Sequence, residues 1–487
     1  MRLSDRRCRR FILSLILAFS AVGCEVGPSY HRPGSDVSSK FAVTTRPTTK
    51  PVSVAVAGQA AWVDWWTRFN DTELNSLVSR SLAANHELKI AEARVREARA
   101  VERVARADLY PTIDLSAAFF KTHGSSAGFG FPWGLPGADS NLFHLGFDAT
   151  YEVDLFGGVR RTIEAAGATA EATEDERRGV QVTLLGEVAR QYIALRALQA
   201  RLDIANQNLA DQRRTLAIVQ KRLKNGLAPT FDLVRASAQV DATESSIPPL
   251  ESGIRQTIYA LSVLLGEEPL ALTSELLSAA PIPPVPPQVP VGLPSELLKR
   301  RPDVMEAERF LAAATALQGV ATSDLFPHLI LGGAAGVESQ KASQLFDQHR
   351  PSSGFYAAGP LATWTIFDGG RRVANIDRSK AQVAAALNAY EATILQALRE
   401  VDSALVAYAH DQARRDSLDT LVAENLRAVR IAQAEYSNGI IDLLDVLEVQ
   451  RNLYASQDAL AQATQTVSTD LVALYKALGG GWEHSSI

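Results

Sequence analysis

Two cysteines in 487 residues leave almost no scope for covalent bracing. Cys8 falls inside a stretch that reads as a leader and Cys24 directly follows it, so the processed chain is expected to hold no disulfide. Aromatic side chains make up only 7% of the residues while alanine is abundant, the balance that close packing of long helices requires. Beyond the leader no run of about 18 apolar residues occurs, which excludes a transmembrane helix. A membrane crossing, if there is one, must therefore be made by strands. The eight histidines are scattered without metal-ligand spacing, and neither a P-loop nor a nucleophile-elbow pattern is present, which argues against an enzyme. Basic charge is scarce as well. The formal net charge is −5, and the first 23 residues carry five Arg and one Asp. Without them 44 basic face 53 acidic side chains, a net −9, and no nucleic-acid-binding surface is indicated.

Those first residues, 1–23, have the anatomy of a signal peptide. Arg2, Arg6, Arg7, Arg9 and Arg10 form a positive leader, and Phe11 to Val22 an apolar segment too short to span a bilayer comfortably. The segment ends in Ala21-Val22-Gly23-Cys24, small residues before a cysteine that resemble a bacterial lipobox. On that reading Cys24 becomes the mature N-terminus and carries a covalent lipid; the alternative is an ordinary signal peptide with a stray thiol. Either suits the envelope of a Gram-negative cell.

What the sequence does have is an internal repeat at a spacing of 213 residues. Asn225-Gly226 returns as Asn438-Gly439, Asp232 as Asp445 and Gly266 as Gly479. A heptad series, Leu233, Val240, Ile247, Ile254 and Leu261, returns as Val446, Leu453, Leu460, Val467 and Leu474. A common shift combined with a seven-residue step marks a duplicated unit built on coiled-coil helices. Arg160 to Lys224 and Arg371 to Tyr436 contain no proline, so each is expected to run as a helix of about 100 Å. Return helices are expected over Phe231 to Leu265 and Leu443 to Leu478, with Pro248-Pro249 kinking or interrupting the first. Shorter helices are expected over Glu87 to Leu109 and Pro302 to Leu325.

Each repeat also holds two strand-like segments. In Asn141 to Asp154, Phe143, Leu145, Phe147, Ala149, Tyr151 and Val153 alternate with His144, Gly146, Asp148, Thr150, Glu152 and Asp154. Such alternation fits a barrel strand with one face to lipid and one to a wet lumen. Thr112 to Lys121 is its partner; His328 to Val337 and Phe355 to Phe367 hold the equivalent places, the last interrupted by Pro360. Soluble hairpins packed on helices would show the same alternation. Four strands cannot close a transmembrane barrel, which needs about eight, because an open edge in lipid leaves backbone groups unpaired. Strands in the membrane therefore require oligomerisation: a dimer supplies eight and a trimer twelve.

At this point the chain resembles the TolC-like outer-membrane efflux channels, and among them the NodT-like lipoprotein branch that serves RND-type pumps. The stretch from Cys24 through Glu25-Val26-Gly27-Pro28-Ser29-Tyr30-His31-Arg32-Pro33, Leu298 to Val304, and Phe367-Asp368-Gly369-Gly370-Arg371-Arg372 carry the likeness. The resemblance implies an α+β membrane protein: a homotrimer whose twelve strands form a β-barrel continued by a periplasmic α-helical barrel, closed at its tip. It implies a periplasmic gate of Asp232, Tyr436, Asp445 and Glu448. Where the family has a basic partner for this gate, the chain has Ile441, which leaves the lock absent or built otherwise. It also implies adaptor-docking tips at Asn225-Gly226-Leu227 and Asn438-Gly439-Ile440. The corresponding segments are a signal peptide (1–23), an N-terminal anchor and equatorial part (24–85), repeat 1 (86–280), a Pro-rich linker (281–293), repeat 2 (294–478) and a tail (479–487).

The function so implied is a passive exit duct of the outer membrane. An inner-membrane RND-type pump would deliver drugs or other small toxic compounds through a periplasmic adaptor (membrane fusion) protein. No cofactor is implied beyond the lipid on Cys24, and the surroundings are outer-membrane lipid. Two other readings stand beside it, a type I protein-secretion duct and a periplasmic coiled-coil scaffold.

Overall fold

The computed structural model describes residues 25–34, 54–56, 62–123, 139–286, 288–290, 299–347 and 353–483. The expected signal peptide (1–23), Cys24 and most of the loop between the first two long strands lie outside them. In chain order the elements are β1 (Val54–Val56), α1 (Thr72–Ala84), α2 (His86–Ala107), β2 (Thr112–His123), β3 (Asp139–Val153), α3 (Gly158–Lys224) and α4 (Thr230–Leu264). There follow α5 (Thr273–Leu276), β4 (Gln288–Pro290), α6 (Pro302–Ser323), β5 (His328–Ser339), β6 (Gly354–Thr363), α7 (Arg371–Ser437) and α8 (Leu443–Ala477). The mix is α+β and mostly helical. The duplication is visible in the lengths: α3 and α7 each have 67 residues, α4 and α8 each 35.

The chain divides into two compact units. One gathers Arg96–Ala172 and Glu308–Ala389 with the described part of Met1–Pro33. It contains an antiparallel sheet of order β2-β3-β5-β6. The register opposes Leu115 to Phe147, Phe147 to Ala335 and Ala335 to Tyr356, so one face is a band of apolar side chains. Ile113, Leu115, Phe119, Phe147 and Tyr356 on that face are all exposed. The opposite face carries Asp114, Ser116, His144, Asp148, Thr150 and Glu338, together with the apolar Phe120, Ile330 and Leu361. Its polar groups are linked across three strands. Ser116 Oγ donates to Asp148 Oδ2 at 2.8 Å and lies 3.2 Å from His144 Nε2, while His144 Nδ1 is 3.0 Å from Glu338 Oε1. Strand β6 runs through Pro360, which pairs with Leu331, instead of being interrupted there. Proline has no N–H to give, so the strand passes through it with one donor fewer. The same strand ends at Thr363, four residues before the expected Phe367. The Trp364 indole N–H donates to the Leu325 carbonyl and Arg372 bonds Thr365 O, contacts that turn the chain toward α7.

In the same unit residues 25–34 pack as a strap. Val26 N–H donates to Phe156 O at 3.2 Å, Glu25 pairs with Arg161, and Glu308 accepts from Tyr30 Oη and pairs with Arg32. Gly27 has φ +92°, and a Cβ there would stand 2.7 Å from Gly319 Cα. Only glycine fits both conditions.

The other unit gathers Thr173–Ala307 and Tyr390–Ile487 with the described part of Gly34–Val95. Its core joins Trp62, Trp65, Phe69, Leu74 and Leu77 to Leu185, Tyr192, Ile193, Ile258, Leu261, Leu471 and Tyr475. The Arg301-Pro302-Asp303 motif belongs here. Arg301 is 7% exposed and donates to Ala477 O (2.9 Å), Glu400 Oε2 (2.8 Å) and both Asp303 oxygens, so a buried charge meets full pairing. Helix α4 continues through Pro248-Pro249 without the expected interruption. Proline costs about 3 kcal/mol inside a helix, and the burial of Val240, Leu250, Ile254, Ile258 and Leu261 along one side of α4 offsets it.

Candidate gate and docking tips

The two hairpin turns, α3 to α4 and α7 to α8, are built alike. Gly226 N–H bonds Leu223 O (2.9 Å) and Leu227 N–H bonds Arg222 O (2.8 Å); Gly439 N–H bonds Tyr436 O (3.0 Å) and Ile440 N–H bonds Glu435 O (2.9 Å). Both are Schellman caps, which satisfy the last helical carbonyls by placing a left-handed residue just past the helix. Gly226 has φ +71° and Gly439 φ +76°, with nothing within 4 Å of a Cβ at either. The glycines are thus required by backbone conformation, not by crowding. Asn225, Gly226, Leu227, Asn438, Gly439 and Ile440 are all exposed, Leu227 at 67% and Ile440 at 69%.

Just behind the turns a small core ties the hairpins together. Val219, Ala236, Ala432, Tyr436, Leu443, Val446 and Leu447 form it, with Leu216, Leu233 and Ile441 packed against it. Ile441, where the resemblance implied a basic side chain, makes an apolar contact instead. A polar link between the hairpins comes from a residue that the repeat did not single out. Arg222 Nη1 donates to Tyr436 O at 2.9 Å, and the guanidinium lies 4.6 Å from the centre of the Tyr436 ring. The signal was present: Lys221, Arg222 and Lys224 crowd the last turn of α3, where positive charge meets the helix dipole. Burial raises the Tyr436 hydroxyl above its ordinary range, with Arg222 opposing and Asp232 adding to the rise. Asp232 is thus near Tyr436, half-buried in the first turn of α4.

Asp445 and Glu448 are both exposed on α8, three residues apart and so on one face. Asp445 has a second, local task. Its Oδ2 accepts from Asp442 N–H at 3.3 Å in a capping box that opens α8. Among the described residues no cluster of three or more His, Cys, Asp or Glu could hold a metal ion, and no helix is long and apolar enough to cross a membrane.

The profile of the outer membrane efflux protein family matches residues 77–267 and 293–480, one block per repeat. The chain is 30% identical over 479 residues to the cation efflux system protein CusC of Escherichia coli (strain K12), covering 96% of this chain and 99% of that one. It is 32% identical over 489 residues to the toluene efflux pump outer membrane protein TtgC of Pseudomonas putida, covering 97% and 96%. Among solved structures it superposes on the outer-membrane channel OprN with a TM-score of 0.87 at 34% identity, over 95% of this chain and 100% of that one. This chain belongs to the outer membrane efflux protein family and is an outer-membrane efflux channel.

Proposed function

We propose that three copies of this chain join β6 of one to β2 of the next, giving a twelve-stranded barrel continued by a periplasmic helical barrel. The observation that carries the proposal is the sheet itself. Four strands with one apolar and one polar face end in two edge strands, an arrangement that lipid penalises unless further copies supply the missing partners. The barrel is the exit duct of a tripartite efflux system. An inner-membrane RND-type pump supplies the energy, and a periplasmic adaptor engages the exposed turns at Leu227 and Ile440. Cys24 carries the lipid that anchors the mature N-terminus.

In this assembly Asp445 and Glu448 of the three copies face one axis and form the narrowest, cation-binding part of a periplasmic gate, with Asp232, Tyr436 and Arg222 holding it shut. The family is one of efflux channels, so the type I secretion reading and the soluble scaffold are set aside, and no catalytic role is assigned. The relatives are named for a cation efflux system and for toluene. Exports so unlike one another support a duct of low selectivity fed by a selective pump. The test is electrical. Purified protein in planar bilayers should give discrete cation-selective conductance steps. Protein that inserts stably and passes no ions would refute the duct.

A further inference from the structure

On the polar face of the four-stranded sheet, His144 has a partner at each ring nitrogen. Nδ1 stands 3.0 Å from Glu338 Oε1 on β5, and Nε2 stands 3.2 Å from Ser116 Oγ on β2. The imidazole also stacks on Phe355 of β6, with ring centres 5.3 Å apart. Gly146 and Gly336 oppose one another beside that ring, and a Cβ on them would come within 3.1 Å and 2.9 Å of it. The two glycines thus make room for Phe355, and Phe355 keeps the imidazole from turning away. Ser116 is the movable part, because its hydroxyl rotates but has only one proton to give. The acceptor nearest to it is Asp148 Oδ2 at 2.8 Å, with Gly146 O at 3.3 Å. Asp114 faces Asp148 across the β2–β3 ladder, and β6 adds no charged residue.

Counting donors shows that this network has two states. Charged imidazole donates from both nitrogens. Nδ1–H then serves Glu338, Nε2–H serves the Ser116 oxygen, and the hydroxyl proton goes to Asp148, so each group is satisfied. Neutral imidazole keeps Nδ1–H on Glu338, since two acceptors cannot face one another there. Nε2 becomes an acceptor, the Ser116 hydroxyl turns to it, and Asp148 loses its donor. We infer that Ser116, His144, Asp148 and Glu338 form a proton-operated switch in the duct, which bares the Asp148 carboxylate and makes the barrel more cation-selective as pH rises. The inference rests on the channel reading above, in which this face lines the lumen. His144 is the sixth residue of β3 and Glu338 the last but one of β5, so the switch lies toward the loop end of the strands, away from the gate. Imidazole is the side-chain group that exchanges its proton between about pH 5 and pH 8. In the charged state one imidazolium and two carboxylates leave one net negative charge per copy; in the neutral state they leave two. A lumen lined by one sign of charge concentrates ions of the other.

The test uses the full-length protein in planar bilayers, with Asp445→Asn/Glu448→Gln as the background so that the gate acids do not contribute. The reversal potential in a salt gradient gives the cation-to-anion permeability ratio. The switch predicts a ratio about twofold higher at about pH 8 than at about pH 5. In His144→Gln, whose amide can serve Glu338 and Ser116 as neutral imidazole does, the ratio at the lower pH should already equal that at the higher. Asp148→Asn should shrink the pH step, whereas Asp114→Asn, on the same rung but without Ser116, should lower the ratio equally at both pH values. The pairs His328–Glu152 and His123–Asp139 are the same in every variant and cancel in the comparison. A wild-type pH step retained in His144→Gln would overturn the switch. So would like behaviour of Asp148→Asn and Asp114→Asn, a comparison that decides the matter even if His144→Gln fails to insert. A background channel that conducts with no pH step removes the switch and leaves the duct; protein that inserts and passes no ions removes both.

Discussion

The acidic side chains of this chain fall into two groups that burial separates. Asp445 and Glu448 are exposed, whereas burial, with Asp411 beside it, pushes the Asp470 carboxyl up to about 7. Burial among Glu176, Asp303 and Asp175 does the same for Glu306. The consequence for stability has a definite sign. Unfolded, Asp470 ionises near 3.8; folded, it holds its proton to about 7. Between those values the folded chain binds more protons than the unfolded one, so stability falls as pH rises across that window and levels off above it. Asp470→Asn is expected to flatten part of this decline and to stabilise the protein at pH 8 by about 1 kcal/mol, after allowance for solvent screening. Melting curves from pH 5 to pH 8 check it; a wild type as stable at pH 8 as at pH 5 would contradict it. For the gate, Asp445→Asn with Glu448→Gln should weaken block by divalent cations and raise conductance. Unchanged block would remove both residues from the gate. Asparagine is the informative choice at 445 because alanine would also break the α8 capping box, worth about 1 kcal/mol.

At the scale of elements, much was legible because the relevant signals are local. The 213-residue shift, the proline-free stretches and the two Asn-Gly turns follow from backbone rules that need no tertiary context, and α3, α7 and both turns lie where those rules put them. Pro248-Pro249 and Pro360 went the other way. A proline's local cost is real, but burial along α4 and the pairing of β6 along the whole of β5 override it, and neither is visible in sequence. Arg222 was missed because a cation in a last helical turn has a sufficient local explanation in the helix dipole; its partner lies 214 residues away. The strap shows the opposite case, a motif whose reason is tertiary. Gly27→Ala must shift a backbone contact at 2.7 Å and adopt a positive φ. It should loosen residues 25–34 at a cost of about 1–3 kcal/mol and speed amide hydrogen exchange at Val26, whose N–H is bonded to Phe156 O. Equal exchange rates in variant and wild type would show that the strap does not depend on that contact.

For the whole molecule, duplication gives each chain two hairpin tips, two pairs of strands and two edges. The tips and the tip core are satisfied within one copy, since Val219 to Leu447 form a closed cluster that spans both repeats. The edges are not: β2 and β6 each have one neighbour in the four-stranded sheet. That asymmetry is why a single chain explains the tip core but not the barrel, and why the account turns on the number of copies. Native mass spectrometry of the detergent-extracted protein counts them directly. The account predicts three chains per particle, twelve strands in all, with no dimer and no free monomer. A stable monomer, or a closed pair of chains, would contradict it.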